Sequence, residues 1–186
     1  MNTNIDITGV VLTTKRLILR EWKEDDLDDF YEYASVPGVG EMAGWHFHET
    51  RGKTKKILDI FINGKKTFAI VYNNKVIGSL GIEEYNDKAF PEFNELNGRE
   101  IGYVLSKDYW GKGIMPEAVN AVINYCFNEL KLDFLMCGHF TTNNQSWRVQ
   151  EKCGFKHYKL IKYETRMNEI KDCFMSLLKN EKNMVK

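Results

Sequence analysis

The chain has 186 residues, 43% of them apolar, and its 26 basic side chains balance 26 acidic ones to give zero net charge. That length suits one domain over residues 1–186 with a core over about 11–180, and the charge balance argues against a nucleic-acid-binding surface as the main feature. Cys126, Cys137, Cys153 and Cys173 form no Cys-x-x-Cys and share no metal-like spacing with histidines, so reduced thiols, no metal, no membrane-length apolar run and no signal-peptide core predict a cytoplasmic protein.

Val11 to Trp22 alternates apolar and polar residues and predicts a first strand. Asp25 and Asp26 then precede Leu27, Phe30, Tyr31 and Ala34 at helical spacing, with acids where a helix N-terminus favours them. A loop from Pro37 to Trp45 leads to a second amphipathic helix carrying Ile57, Leu58, Phe61 and Ile62, which Asn63-Gly64 ends. Thr67 to Tyr72 and Lys75 to Glu84 are strand-like runs joined by Asn73-Asn74, two residues that tolerate the left-handed backbone of a tight hairpin. After the polar stretch Asn86 to Gly98, Arg99 to Ser106 predicts another strand, and Pro116 to Leu130 a helix with Val119, Val122, Ile123, Cys126 and Leu130 on one face. Phe134 to Phe140 is the next strand, Ser146 to Lys152 a short helix, and Phe155 to Tyr163 with Asp172 to Leu178 a closing hairpin. Residues 1 to 10 and the Lys/Asn-rich tail from about 180 to 186 are expected to fray. The order β-α-α-β-β-β-α-β-α-β-β describes a mixed-sheet α/β (α+β) plan.

The most informative segment is Tyr109-Trp110-Gly111-Lys112-Gly113-Ile114-Met115, between a strand and a helix. Two glycines one residue apart let the main chain approach a ligand without Cβ obstruction, and the following helix aims unpaired N–H groups and its positive dipole end at the same place. Such a turn suits phosphate. It is neither a Walker loop, which needs Ser or Thr after Lys112, nor a dinucleotide fingerprint, which needs glycine where Pro116 stands. Pro116 suits the first helical position, where a missing N–H costs little.

Thirty residues on comes Asn143-Asn144-Gln145-Ser146, then Glu151-Lys152-Cys153-Gly154-Phe155. Together with Thr14-Lys15-Arg16-Leu17-Ile18-Leu19-Arg20, Glu100-Ile101-Gly102-Tyr103 and the glycine turn, these blocks make the chain from about residue 12 to 180 resemble the GNAT superfamily of acyl-CoA N-acetyltransferases. The resemblance is to the branch containing the ribosomal-protein N-terminal (alanine/serine) acetyltransferases. It implies a GNAT fold: a twisted mixed sheet of about seven strands flanked by about four helices, splayed at the fourth and fifth strands. Acetyl-CoA is the implied co-substrate. Two departures stand out. The loop carries Trp110 first and bulky Met115 last, which narrows the floor of the pyrophosphate cradle, and Gln150 stands where many relatives have a tyrosine, so a tyrosine general acid is not carried over.

By this resemblance Trp110, Gly111, Lys112, Gly113, Ile114 and Met115 hold the pyrophosphate, and Tyr103, Val104 and Leu105 offer main-chain groups to the pantetheine arm by strand-like addition. Asn143 hydrogen-bonds the pantetheine or is a turn residue. Ser146 donates a proton to the departing thiolate or caps a helix. Glu100 takes the amine's proton through water or is a solvated strand residue. In the loop that walls the acceptor pocket in relatives, Trp45 gives shape, and His46 is a candidate base or plain surface. Transfer is expected to be direct, because no cysteine sits in a nucleophile motif. The expected acceptor is a protein or peptide N-terminal α-amine, with a small-molecule amine (polyamine, amino acid or antibiotic) or a non-catalytic CoA sensor as alternatives, in a monomer or homodimer that binds neither nucleic acid nor membrane.

Overall fold

The structure is a computed structural model and describes residues 1–183. It contains eight strands, β1 (Leu12–Thr13), β2 (Leu17–Arg20), β3 (Thr67–Tyr72), β4 (Lys75–Glu83), β5 (Gly98–Leu105), β6 (Phe134–Phe140), β7 (Lys156–Glu164) and β8 (Ile170–Lys179), and four helices, α1 (Leu27–Ala34), α2 (Arg51–Gly64), α3 (Ile114–Asn128) and α4 (Asn144–Lys152). The strands form one sheet in the order β1-β2-β3-β4-β5-β6-β8-β7.

There are eight strands rather than about seven because the first predicted strand folds back on itself. The Thr14 hydroxyl accepts from the Leu17 N–H at 2.9 Å and the Thr14 N–H donates to the Leu17 carbonyl at 2.9 Å. That tight turn lays Leu12 opposite Leu19. The β3–β4 hairpin matches its sequence signal, with Asn73 and Asn74 at φ 48° and 62°, both left-handed.

Alternation along the strands divides the core. Phe68 and Ile70 face a cluster with Leu17, Leu19, Ile101, Leu105 and the α3 residues Ala118, Val119, Val122 and Cys126. Ala69 and Val71 face the opposite way, onto Trp22, Phe30, Tyr33 and Leu58 of the α1–α2 layer. A third cluster around Phe93, Phe134, Phe140 and Met175 closes the far end of the sheet.

The expectation that residues 1 to 10 fray is not met. Ile5 and Ile7 are buried in the α3-side cluster, and the Ile7 N–H donates to the Lys65 carbonyl at 2.9 Å. Of the tail expected to fray from about 180, residues 184–186 lie outside the described residues, whereas Asn180 is buried and its amide donates to the Leu132 carbonyl at 3.0 Å.

One irregularity of the sheet positions everything that follows. β5 pairs with β4 from Glu100 to Leu105, but with β6 only at Gly98↔Phe134, Arg99↔Leu135 and Glu100↔Met136. Beyond Glu100 the two parallel strands part, and the rest of β6 pairs with β8 alone.

Candidate active site

The gap between β5 and β6 opens into a cavity of about 1010 Å³ that passes from the start of α3 to the loop between α1 and α2. Its wall includes Trp45, His46, Glu100, Tyr103, Val104, Leu105, Trp110, Gly111, Gly113, Ile114, Met115, Asn143 and Ser146. Residues picked from four separate segments of sequence therefore share one space. Lys112 does not line it; its ammonium lies over the Tyr109 ring and its carbonyl accepts from Arg16 Nη1 at 3.0 Å.

Gly111 and Gly113 take φ of 73° and 70°, a conformation that disfavours any side chain, and a Cβ built at Gly111 meets no protein atom. Gly113 is the N-cap of α3 and no side chain caps the helix, so its first N–H groups remain available to an anion. The helix starts at Ile114, two residues earlier than the sequence reading, which puts Pro116 at the third helical position. A missing N–H is tolerated there too, since the first four have no partner within the helix. Met115 turns into the core, 5% exposed, instead of filling the cradle. The turn is locked from outside by Arg16, whose Nε donates to Glu117 Oε2 at 2.6 Å while Thr14 Oγ1 donates to Glu117 Oε1 at 2.6 Å. Trp110 Nε1 donates to the Leu105 carbonyl at 2.9 Å, so that main-chain acceptor is already occupied.

At the other lip, Asn143 rather than Ser146 is the N-cap of α4: Asn143 Oδ1 accepts from the Ser146 N–H at 3.1 Å. Its Nδ2 donates to the Met42 carbonyl at 3.2 Å and ties the helix start to the acceptor-side loop. The Ser146 hydroxyl is thereby released from capping, and it lies 3.0 Å from Tyr103 Oη.

Glu100 sits where the strands part, directly across from Glu83 on β4. Its carboxyl reaches cavity solvent yet lies deep in the molecule. Desolvation, and next the Glu83 carboxylate, push it up from 4.5 to about 7. A group at that value is ready to exchange protons near neutrality.

Of the two loop histidines, His46 is exposed, with Nδ1 3.2 Å from the Phe47 carbonyl oxygen. His48, which sequence reasoning passed over, is buried in the cavity wall against Trp45 and Phe30, with Nδ1 2.9 Å from Thr54 Oγ1. Burial, then the nearby Lys53 ammonium, lower it to about 4, so it stays neutral and makes a poor base. Also passed over were the side chains of Tyr103 and Gln150. Alternation along β5 places Tyr103 on the face opposite Glu100, but nothing in the sequence brings it to Ser146.

Cys137 lines the cavity, and burial, then the Glu100 carboxylate, push its thiol well above its ordinary range, which removes it as a nucleophile. Among the described residues no group of His, Cys, Asp and Glu side chains is placed to hold a metal ion, and no helix is long and apolar enough to cross a membrane.

One cavity thus holds a glycine turn at an uncapped helix start, an open strand edge, a hydroxyl and a carboxyl. The Acetyltransferase (GNAT) domain family matches residues 16–156. The uncharacterized N-acetyltransferase p20 of Bacillus licheniformis is 31% identical over 180 residues, covering 91% of this chain and 97% of that relative. A GNAT-family acetyltransferase from Bacillus anthracis superposes with a TM-score of 0.81 at 26% identity, over 92% of this chain and 99% of the other. The ribosomal-protein-S5-alanine acetyltransferase of Vibrio fischeri shares the fold, with a TM-score of 0.68 at 21% identity over 92% and 97% of the two chains. This chain belongs to the GNAT family of acetyl-CoA-dependent N-acetyltransferases.

Proposed function

We propose that this acetyltransferase passes the acetyl group of acetyl-CoA directly to the α-amine of a protein or peptide N-terminus. The observation that carries the acceptor class is the Glu100 carboxyl at about 7 in the cavity. An α-ammonium at about 7.7 to 8.0 lies roughly one unit above such a base, whereas a lysine ammonium at about 10.4 lies roughly three. Each unit is about 1.4 kcal/mol, so Glu100 through a water suits an α-amine and falls well short for lysine. The fold shared with the S5-alanine acetyltransferase supports the same class.

In this reading the Gly111–Met115 main chain and the uncapped start of α3 hold the pyrophosphate, and the free β5 edge at Tyr103 and Val104 receives the pantetheine amides. The acetyl carbon then lies between Glu100 and Ser146. The amine nitrogen attacks the thioester carbonyl and its proton passes to Glu100. As the C–S bond breaks, Ser146 gives its hydrogen to the sulfur and recovers one through cavity water, to which Glu100 releases the amine's proton, so that the net transfer is one proton from nitrogen to sulfur. A thiol near 8.5 leaves readily, so this assistance is modest. With every cysteine buried and free, the protein suits the reducing cytoplasm.

The test is mass spectrometry of an acceptor panel incubated with enzyme and acetyl-CoA: peptides with free α-amines, the same peptides N-blocked but carrying lysine, and polyamines. Acetylation of α-amines with no acetyl group on the protein itself is expected. Acetylation confined to lysine or polyamines overturns the acceptor class, and a stoichiometric acetyl-protein overturns direct transfer.

A further inference from the structure

The wall around Ser146 holds hydrogen bonds that all run in one direction. The Gly138 carbonyl can only accept, so the Gln150 atom 3.1 Å from it is the amide nitrogen. Gln150 Oε1 then faces His139 Nδ1 at 3.0 Å, and Nδ1 must carry a hydrogen to meet it. The same Gln150 nitrogen reaches Ser146 Oγ at 3.4 Å, the longest link, and approaches it as a donor. On the other side the Tyr103 hydroxyl has the Ser146 carbonyl at 3.2 Å to receive its hydrogen. With Gln150 donating to Oγ and the Tyr103 hydrogen on the Ser146 carbonyl, the Ser146 hydrogen is directed to Tyr103 Oη in the resting protein and is free to swing to a sulfur in the cavity.

The first members of this chain are held rigidly. His139 is 7% exposed and its ring packs beside those of Trp147 and His157, at centroid distances of 5.4 and 5.2 Å, while those two rings lie 3.7 Å from each other and His157 stacks on Phe174 at 4.4 Å. Gln150 is 1% exposed. Turning its amide over would set Oε1 against the Gly138 carbonyl and Nε2 against the His139 Nδ1–H, and would draw the Ser146 hydrogen toward Gln150, away from the cavity.

We propose that His139 and Gln150 are positioning residues that fix the direction of the Ser146 hydroxyl, with His139 setting the amide and the amide setting the hydroxyl. This rests on the reading of Ser146 as the hydrogen donor to sulfur.

A double-mutant cycle on kcat tests it, at saturating acetyl-CoA with the α-amine peptide. His139→Leu removes the donor to Gln150 and is expected to lower kcat about threefold to tenfold with KM for acetyl-CoA unchanged. In a Ser146→Ala background the same change is expected to cost less than about twofold. His139→Asn, which returns an amide nitrogen near the place of Nδ1, is expected to recover most of the loss. Equal fold-losses in both backgrounds overturn the proposal, and so does a His139→Asn protein as slow as His139→Leu. Gln150→Met enters the same cycle if His139→Leu fails to melt cooperatively. A Ser146→Ala enzyme with unaltered kcat is a separate result: it refutes the donor reading of Ser146, and the positioning roles fall with it.

Discussion

Replacing Glu100 with glutamine is expected to stabilise the protein while disabling it. In the folded chain desolvation and Glu83 raise the carboxyl from 4.5 to about 7, and each unit corresponds to about 1.4 kcal/mol. Ionised Glu100 therefore costs the fold up to about 3 kcal/mol, and about 1 kcal/mol if cavity water screens most of the penalty. The sign follows from proton linkage. A carboxyl raised on folding binds more protons in the folded state, so its contribution is intact below about pH 4.5 and is lost as pH rises through about 7.

Glu100→Gln is nearly isosteric and carries no charge at any pH, so its melting temperature should exceed that of the unsubstituted protein by about 2 to 12 °C at pH 8, at about 2–4 °C per kcal/mol for a chain of this size. Near pH 4.5 the difference should close to about 1 °C. Paired thermal melts across that range read it directly. In the same variant kcat/KM should fall on the order of a hundredfold, and the rise of activity with pH, centred near 7 in the unsubstituted enzyme, should disappear. Melting curves displaced equally at both pH values refute the buried-carboxyl account. An activity limb near 4 in the unsubstituted enzyme would transfer the base to His48, whose imidazole is lowered to about 4.

Three further outcomes follow from the geometry. Gly113→Ala forces a side chain to φ 70° and so distorts the turn proposed to hold the pyrophosphate; calorimetry should show CoA affinity reduced about tenfold or more, with roughly 1 kcal/mol lost from stability. Asn143→Ala removes the cap of α4 and its link to the Met42 carbonyl, so denaturant unfolding should show about 1 kcal/mol of destabilisation. Arg16→Ala frees Glu117 and the Lys112 carbonyl without touching the cavity, and steady-state rates should show a raised KM for acetyl-CoA with kcat within about twofold.

What the sequence reveals here depends on whether a signal is local. Asn73-Asn74 dictates a hairpin by its own backbone preference, and Gly111 and Gly113 need only their φ angles to announce an anion-binding turn. Glu100 is legible because it lies on a strand that leads into that turn. By contrast, the break between β1 and β2 depends on one threonine hydroxyl bonding three residues ahead, and the burial of Ile5 and Ile7 on docking against distant strands. A serine before an apolar-periodic helix commonly caps, so from sequence alone Ser146 reads equally as a cap of α4 or as a proton donor. Asn143, three residues earlier, competes for the same role and wins, and a hydroxyl freed from capping can face a ligand.

The parting of β5 from β6 turns these separate features into a site. In a continuous parallel pair, Glu100 and Tyr103 would face opposite layers, one toward α1 and α2 and the other toward α3, with the sheet between them. Because pairing ends at Glu100↔Met136, the sheet has an opening at that point. The carboxyl stands at its start, and on the α3 face the phenol meets Ser146 of α4. A thioester arriving from the α3 side and an amine arriving past Trp45 can then meet within the sheet, each with its own proton carrier. In the proposed reaction the base, Glu100, and the hydrogen donor, Ser146, therefore act from opposite faces of the sheet.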